Sequence, residues 1–188
     1  MNSTMNSTMA KALLVDDRRD NLIALEAMLQ GLPVDTIAVD SGEAALKRLL
    51  TDDFALILLD AQMPGMDGFE TAGHIKRRER TRHIPIIFLT AADRDAQLAV
   101  RGYAAGGVDY LTKPFDPWAL RGKVSVFVDL WNKNQQLRQQ ASSWRRLATA
   151  SDEAIRLLRD GDVPEAISVL EAARRPAWEK PPRGRAAH

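Results

Sequence analysis

Five residues of this 188-residue chain are of types that do chemistry and sit at comparable places. Asp16 and Asp17 follow the apolar run ALLV (12–15), Asp60 follows FALILL (54–59), Thr90 follows IPIIFL (84–89), and Lys113 lies just past VDYL (108–111). Three carboxylates brought together would raise each other's pKa unless a cation joined them. Oxygen ligands without His or Cys favour a hard ion, and Mg²⁺ takes one or two carboxylates while keeping several waters. Lys113 adds a fixed positive charge and Thr90 a hydroxyl donor. Such a set suits a phosphoryl group, which is stabilised mainly by position and by cations. Asp60 can then be the nucleophile, forming an aspartyl phosphate. A lone Asp after a strand is ordinarily a turn or cap residue, so the argument rests on the five together.

Their convergence follows from the elements around them. Leu22, Leu25, Met28 and Leu29 repeat at helical spacing, as do Ala45, Leu46, Leu49 and Leu50. Ser41 is placed to cap the second of these helices. Apolar runs alternating with helices predict βαβ units and a parallel sheet. The runs at 12–15, 54–59 and 84–89 are apolar at almost every position, as strands buried on both faces are. VDTIAV (34–39) alternates and reads as an edge strand. In an open parallel sheet all C-terminal strand ends share one edge, and the ligand crevice lies there. The stretch after Asp60, with Pro64, Gly65 and Gly68, is a backbone shaped around that edge.

Composition narrows the class. There is no cysteine, which excludes a disulfide framework, a thiol nucleophile and a Cys-ligated zinc. No apolar stretch reaches the ~18–20 residues of a membrane span. The leading MNSTMNSTM has neither the basic nor the apolar region of a signal peptide and reads as a disordered leader over residues 1–10, or as alternative starts. A soluble cytoplasmic protein is expected. The net charge of +1 hides an asymmetry, since residues 123–188 hold 12 Lys/Arg against 8 Asp/Glu. Such a balance is ordinarily a solvated helix surface, so nucleic acid is not the expected partner.

Four stretches, LLVDD (13–17), LLDAQMPGMDGFE (58–70), PIIFLTA (85–91) and YLTKPF (110–115), resemble the response-regulator receiver domain of two-component signalling. The resemblance covers residues 11–128. It implies an α/β fold, a doubly wound, five-stranded parallel (βα)₅ sheet of the flavodoxin-like kind, and it supplies the strand order 2-1-3-4-5. It implies that Asp60 accepts a phosphoryl group from a sensor histidine kinase. It assigns Mg²⁺ to Asp17 directly, to Asp16 largely through water, to Asp60 and to the main-chain carbonyl of Gln62. It pairs Lys113 with Asp60 across a cis Lys113–Pro114 bond. It makes Thr90 and Tyr110 the switch pair, and gives phosphoryl oxygens to the main-chain N–H groups of Ala61 and Ala91. No enzyme activity is expected beyond self-phosphorylation and self-dephosphorylation. Gln62 and Ala92 stand where the family tunes phosphoryl lifetime, and neither offers a carboxylate, so slow self-dephosphorylation is expected. A haloacid-dehalogenase-type phosphatase would need a second Asp at position 62. None of the three histidines, His74, His83 and His188, fits a phosphotransfer role.

The last receiver helix is expected to start near Asp116 and to pass Val128 without a stop until Gly161. The resulting extension, 129–160, carries a heptad with Phe127, Asn134, Ala141, Ala148 and Ile155 at a and Leu130, Leu137, Trp144, Ser151 and Leu158 at d. A homodimer is expected through Phe127, Leu130, Asn134, Leu137 and Trp144, with Asn134 favouring a parallel pair. A single helix folding back on its own receiver is the alternative. A short helix over 161–175 follows, with Pro164 in its first turn, and a helical hairpin is the preferred arrangement. Residues 176–188, rich in Pro and basic residues, read as disordered. No recognition-helix pair or enzymatic motif appears, so output by dimerisation or by a protein partner is expected. A DNA-binding regulator using the basic tail and a stand-alone phosphate sink for a hybrid kinase are the other readings.

Overall fold

A computed structural model describes residues 9–91 and 109–174. The expectations for leader residues 1–8, for Ala92, for His188 and for the tail at 176–188 lie outside these residues, while Ala10, expected in the leader, is buried as the first residue of the first strand. The described chain forms two units that meet between Asn132 and Lys133.

The first unit holds β1 (Ala10–Val15), α1 (Arg19–Leu29), β2 (Val34–Val39), α2 (Gly42–Thr51), β3 (Leu56–Asp60), α3 (Gly68–Arg77), β4 (Ile86–Ala91) and β5 (Asp109–Lys113). The first turns of α4 (Pro117–Arg159) complete it. The strands form one parallel sheet in the order β2-β1-β3-β4-β5. VDTIAV is its edge, as the alternation predicts.

Period-two side-chain direction divides the core into two layers. Leu14, Leu58, Ile87 and Leu89 pack with Leu22, Leu25 and Leu29 of α1 and with Leu120, Val124 and Val128 of α4. On the other face Leu13, Val15, Ile57, Leu59, Ile86 and Phe88 pack with Ala45 and Leu49 of α2 and Phe69, Ala72 and Ile75 of α3. Phe127 and Trp131 of α4 lie against the first layer. Trp131 therefore has its apolar contact within its own chain.

One cap departs from expectation. Ser41 occupies the N-cap of α2, but its hydroxyl donates to Asp40 Oδ1 at 3.2 Å and leaves the helix uncapped by a side chain. A cap would need the Ser41 oxygen to accept from a first-turn N–H, and that contact is not made. At α3 the rule holds, with Asp67 accepting from the Glu70 N–H at 2.7 Å.

The second unit is a helical hairpin. Helix α4 runs without a break to Arg159, and α5 spans Val163–Arg174. Gly161, at φ +85°, makes the stop. The Asp162 N–H then bonds the Leu157 carbonyl at 2.9 Å and the Gly161 N–H bonds that of Leu158 at 3.3 Å, the paired closure of a helix ended by a left-handed residue. Ala150 and Ala154 of α4 are buried with Ala166 of α5, and Arg146 donates to the Ala173 carbonyl at 3.4 Å. Among the described residues no helix is long and apolar enough to cross a membrane.

Candidate functional site

The sheet brings the predicted residues to one edge. Asp60 is the last residue of β3, Lys113 the last of β5, and Asp16 and Asp17 come directly after β1. Thr90 lies in β4 beside Thr112 of β5. One ligand oxygen from each of Asp16, Asp17 and Asp60 lies within 4.8 Å of the others. Lys113 Nζ lies 2.9 Å from Asp16 Oδ2 and 3.1 Å from Asp60 Oδ2. The Lys113–Pro114 bond is cis.

The three carboxylates have different surroundings. Asp16 is fully buried. It accepts from the Arg18 N–H at 3.0 Å, from Lys113 Nζ, and from Asn21 Nδ2 at 2.8 and 3.0 Å on its two oxygens. Asp17 is exposed and opens onto a cleft lined by Arg19, Val39 and Asp40. Asp60 is 7% exposed. Burial pushes its pKa above the ordinary carboxylate value, Lys113 pulls it back, and the neighbouring Asp16 charge adds to the rise. Burial would lower the Lys113 pKa, but its bonds to Asp16 and Asp60 outweigh this and hold it above the usual lysine value. Oxygen donors crowded this closely, with one cation among them, fit a hard divalent ion.

The glycines after Asp60 have separate reasons. Gly65 turns the chain at φ +75°. Gly68, the first residue of α3, presses on the end of β3, where a Cβ would sit 2.1 Å from the Asp60 carbonyl oxygen. Its N–H bonds the Ala61 carbonyl at 3.1 Å. The loop is thereby clamped against Asp60 and Ala61.

Ala61 corrects the sequence reading. Its N–H donates to the Leu89 carbonyl at 2.9 Å, continuing the β3–β4 ladder, and is not turned toward the site. The Gln62 N–H, one residue on, reaches Asp60 Oδ1 at 3.4 Å. Strand geometry sends successive N–H groups in opposite directions, so the donor falls on the second residue after Asp60. Asn21 was missed altogether. Its only signal was an amide five residues past Asp16 at the start of a predicted helix. Tyr110, the aromatic of the predicted switch pair, is 45% exposed.

Residues 12–125 match the family model described as the response regulator receiver domain. This chain belongs to the response regulator receiver family. The chain is 36% identical over 148 residues to the response regulator PleD of Caulobacter vibrioides, a match covering 79% of this chain and 32% of PleD. It is 43% identical over 114 residues to the response regulator protein FleR of Pseudomonas aeruginosa, covering 59% of this chain and 23% of FleR. The chain thus spans about a third or less of the length of these relatives. Among solved structures, the receiver superposes on a putative response regulator of Chloroflexus aurantiacus at TM-score 0.61 and 30% identity, over 65% of this chain and 99% of the other. A second, at TM-score 0.59 and 30% identity, covers 65% of this chain and 99% of a sensor histidine kinase receiver domain from Pseudomonas aeruginosa, described with a magnesium ion coordinated in its active site cleft.

Proposed function

We propose that this receiver accepts a phosphoryl group on Asp60 from a sensor histidine kinase and signals through its C-terminal helix. The observation that carries the reading is Lys113 Nζ lying between Asp16 Oδ2 and Asp60 Oδ2, at 2.9 and 3.1 Å. An Asp60 oxygen attacks phosphorus as the bond from phosphorus to the donor histidine nitrogen breaks. The oxygen enters as carboxylate, and the imidazole leaves with its nitrogen lone pair. Lys113 follows the charge from the carboxylate to the phosphoryl oxygens. Thr90 and the N–H groups of Gln62 and Ala91 donate to those oxygens. Asn21 holds the buried Asp16 in place. Asp16, Asp17, Asp60 and the Gln62 carbonyl would hold Mg²⁺, which when bound offsets charge on the transferring group. The magnesium described in the active site cleft of the related kinase receiver supports this assignment.

Chemistry on the protein is confined to self-phosphorylation and self-dephosphorylation. Output uses the exposed face of α4, with Leu130, Asn134, Leu137 and Trp144 at its seam and Phe127 where that seam meets the receiver. A second copy of the chain is the first candidate for covering it, and another protein is the second.

The test is phosphorylation by acetyl phosphate with Mg²⁺, read on a phosphate-affinity gel. Wild type should gain one phosphoryl group and Asp60→Asn none. Equal labelling of the two would overturn the assignment. Light scattering with and without beryllofluoride reads the output, and an unchanged monomer would remove dimerisation from it.

A further inference from the structure

The hairpin leaves the heptad seam uncovered. Its inner face uses Ala150, Ala154 and Ala166, which are buried, with Leu147, Leu157 and Val169 half-buried. The seam residues lie elsewhere on α4, with Leu137 at 62% exposure, Trp144 at 72%, Ile155 at 49% and Leu158 at 51%. A hairpin whose only buried apolar residues are three alanines has a small core, and a lone pair of helices must bury its remaining apolar stripe against a further element. On α5, Ile167 and Leu170 are exposed as well. Hairpin packing and seam packing use different residues, so both can be satisfied at once.

Charge names the occupant and its direction. From Leu130 to Ser151 there are four basic residues, Lys133, Arg138, Arg145 and Arg146, and no acidic one. From Asp152 to Glu171 there are six acidic residues and two basic. A parallel pair would set the basic half on the basic half, with Lys133 at g facing the partner's Arg138 at e. An antiparallel pair sets the basic stretch of each α4 toward the other copy's Asp152, Glu153 and acidic hairpin end, and confines like-charge contact to the centre, at Arg145. Size agrees with charge. Trp144 at d lies between Ala141 and Ala148 at a. In a parallel pair d faces d, so two Trp144 rings would crowd one layer between two layers of alanine. In an antiparallel pair a faces d, and each ring lies over an alanine.

From these features we infer that a second copy of this chain packs antiparallel along the α4 seam, centred near Arg146. The inference rests on the dimerising output proposed above and specifies its geometry. It places Leu137 against the partner's Ile155, Trp144 against the partner's Ala148, Ala141 against the partner's Ser151, and Arg138 beside the partner's Asp152. The basic half of each α4 lies against the acidic hairpin of the other copy. Asn134 taken alone favours the parallel orientation, but it is one residue against the contrast between the basic stretch of α4 at 130–151 and the acidic residues of the hairpin end, Asp160, Asp162, Glu165 and Glu171.

The chain has no cysteine, so introduced cysteines report directly on their neighbours. Full-length Ala141→Cys and Ser151→Cys, one carrying a size tag, are oxidised separately and mixed, with and without Mg²⁺ and beryllofluoride. Mixing should give a disulfide-linked species containing one of each. Each variant alone should give none, because in this arrangement the two copies of either position are separated by roughly 15 Å along the axis, beyond disulfide reach. Self-linked Ala141→Cys in a dimeric sample, or a dimer without the mixed species, overturns the antiparallel geometry and leaves dimerisation standing. A monomer by light scattering in both states overturns dimerisation itself. Independently, Arg138→Glu should weaken the dimer at least tenfold, and adding Asp152→Arg to the same chain should restore it. A strengthened dimer with Arg138→Glu would refute the pairing.

Discussion

Replacing Gly68 with alanine adds one methyl group where α3 begins against the end of β3. That methyl carbon would stand 2.1 Å from the Asp60 carbonyl oxygen, 2.8 Å from Ala61 Cα and 2.9 Å from the Asp60 carbonyl carbon. All three are backbone atoms, so no side chain can swing aside. Ordinary contact begins near 3.4 Å, so the helix start and the strand end must part by more than an ångström. Either α3 lifts, loosening Phe69 from Phe88, whose rings now lie 4.9 Å apart, or the end of β3 shifts and carries Asp60 away from Lys113. Overpacking of this kind costs about 3 kcal/mol, the upper part of its usual range. For a chain of this size that lowers the melting temperature by about 6–12 °C. Thermal unfolding followed by circular dichroism at one protein concentration measures it, and the initial rate of acetyl phosphate labelling should fall in the same variant. Gly73→Ala and Gly122→Ala are the controls. The first meets only the flexible Arg77 Nη2 at 3.8 Å and the second meets nothing within 4 Å. Both lie inside helices, where Gly→Ala adds about 1 kcal/mol of stability. If Gly68→Ala melted with the wild type or with its controls, the clamp would not exist.

Asp60→Asn should melt higher than wild type at pH 7 without divalent cations. Burial, only partly offset by Lys113, raises the folded pKa of Asp60. The stability this group contributes is therefore full below its unfolded pKa of ~3.9 and is lost as pH rises through the folded value. The gap between variant and wild type should close as pH is lowered toward that unfolded value, and an Asn variant less stable at pH 7 would contradict the burial argument. Asn21→Ala removes both amide bonds to the buried Asp16. It should cost about 1–3 kcal/mol in denaturant unfolding and should weaken Mg²⁺ binding by calorimetry, whereas unchanged Mg²⁺ affinity would deny Asn21 a positioning role. With Gln62 in place of a carboxylate, Asp60 phosphate should persist well beyond seconds, as followed by loss of label after removal of the donor. Decay within seconds would show that another group orients the attacking water.

Much of this protein is local in origin and therefore legible in one dimension. Apolar runs buried on both faces, separated by helical spacing, dictate a parallel sheet, and strand ends then share an edge. Asp16, Asp17, Asp60, Thr90 and Lys113 could be gathered on that basis before any coordinate was known. The unbroken α4 follows from an absence of stops between Pro117 and Arg159, and its end from Gly161. Contacts across the chain were a different matter. The Ala61 N–H is spent on Leu89, a pairing set by the β3–β4 register, so the inward donor is Gln62. Asn21 reaches Asp16 because α1 starts at the angle it does. The glycine requirement at Gly68 comes from an approach of α3 to β3 that spacing does not reveal, and Ser41 turned to Asp40 rather than to its helix. In the hairpin, heptad counting found the apolar stripe, but only packing showed that Ala150 and Ala154 are buried while that stripe is left open. Sequence periodicity determines which residues share a face, and close packing in three dimensions decides which atom on that face meets which.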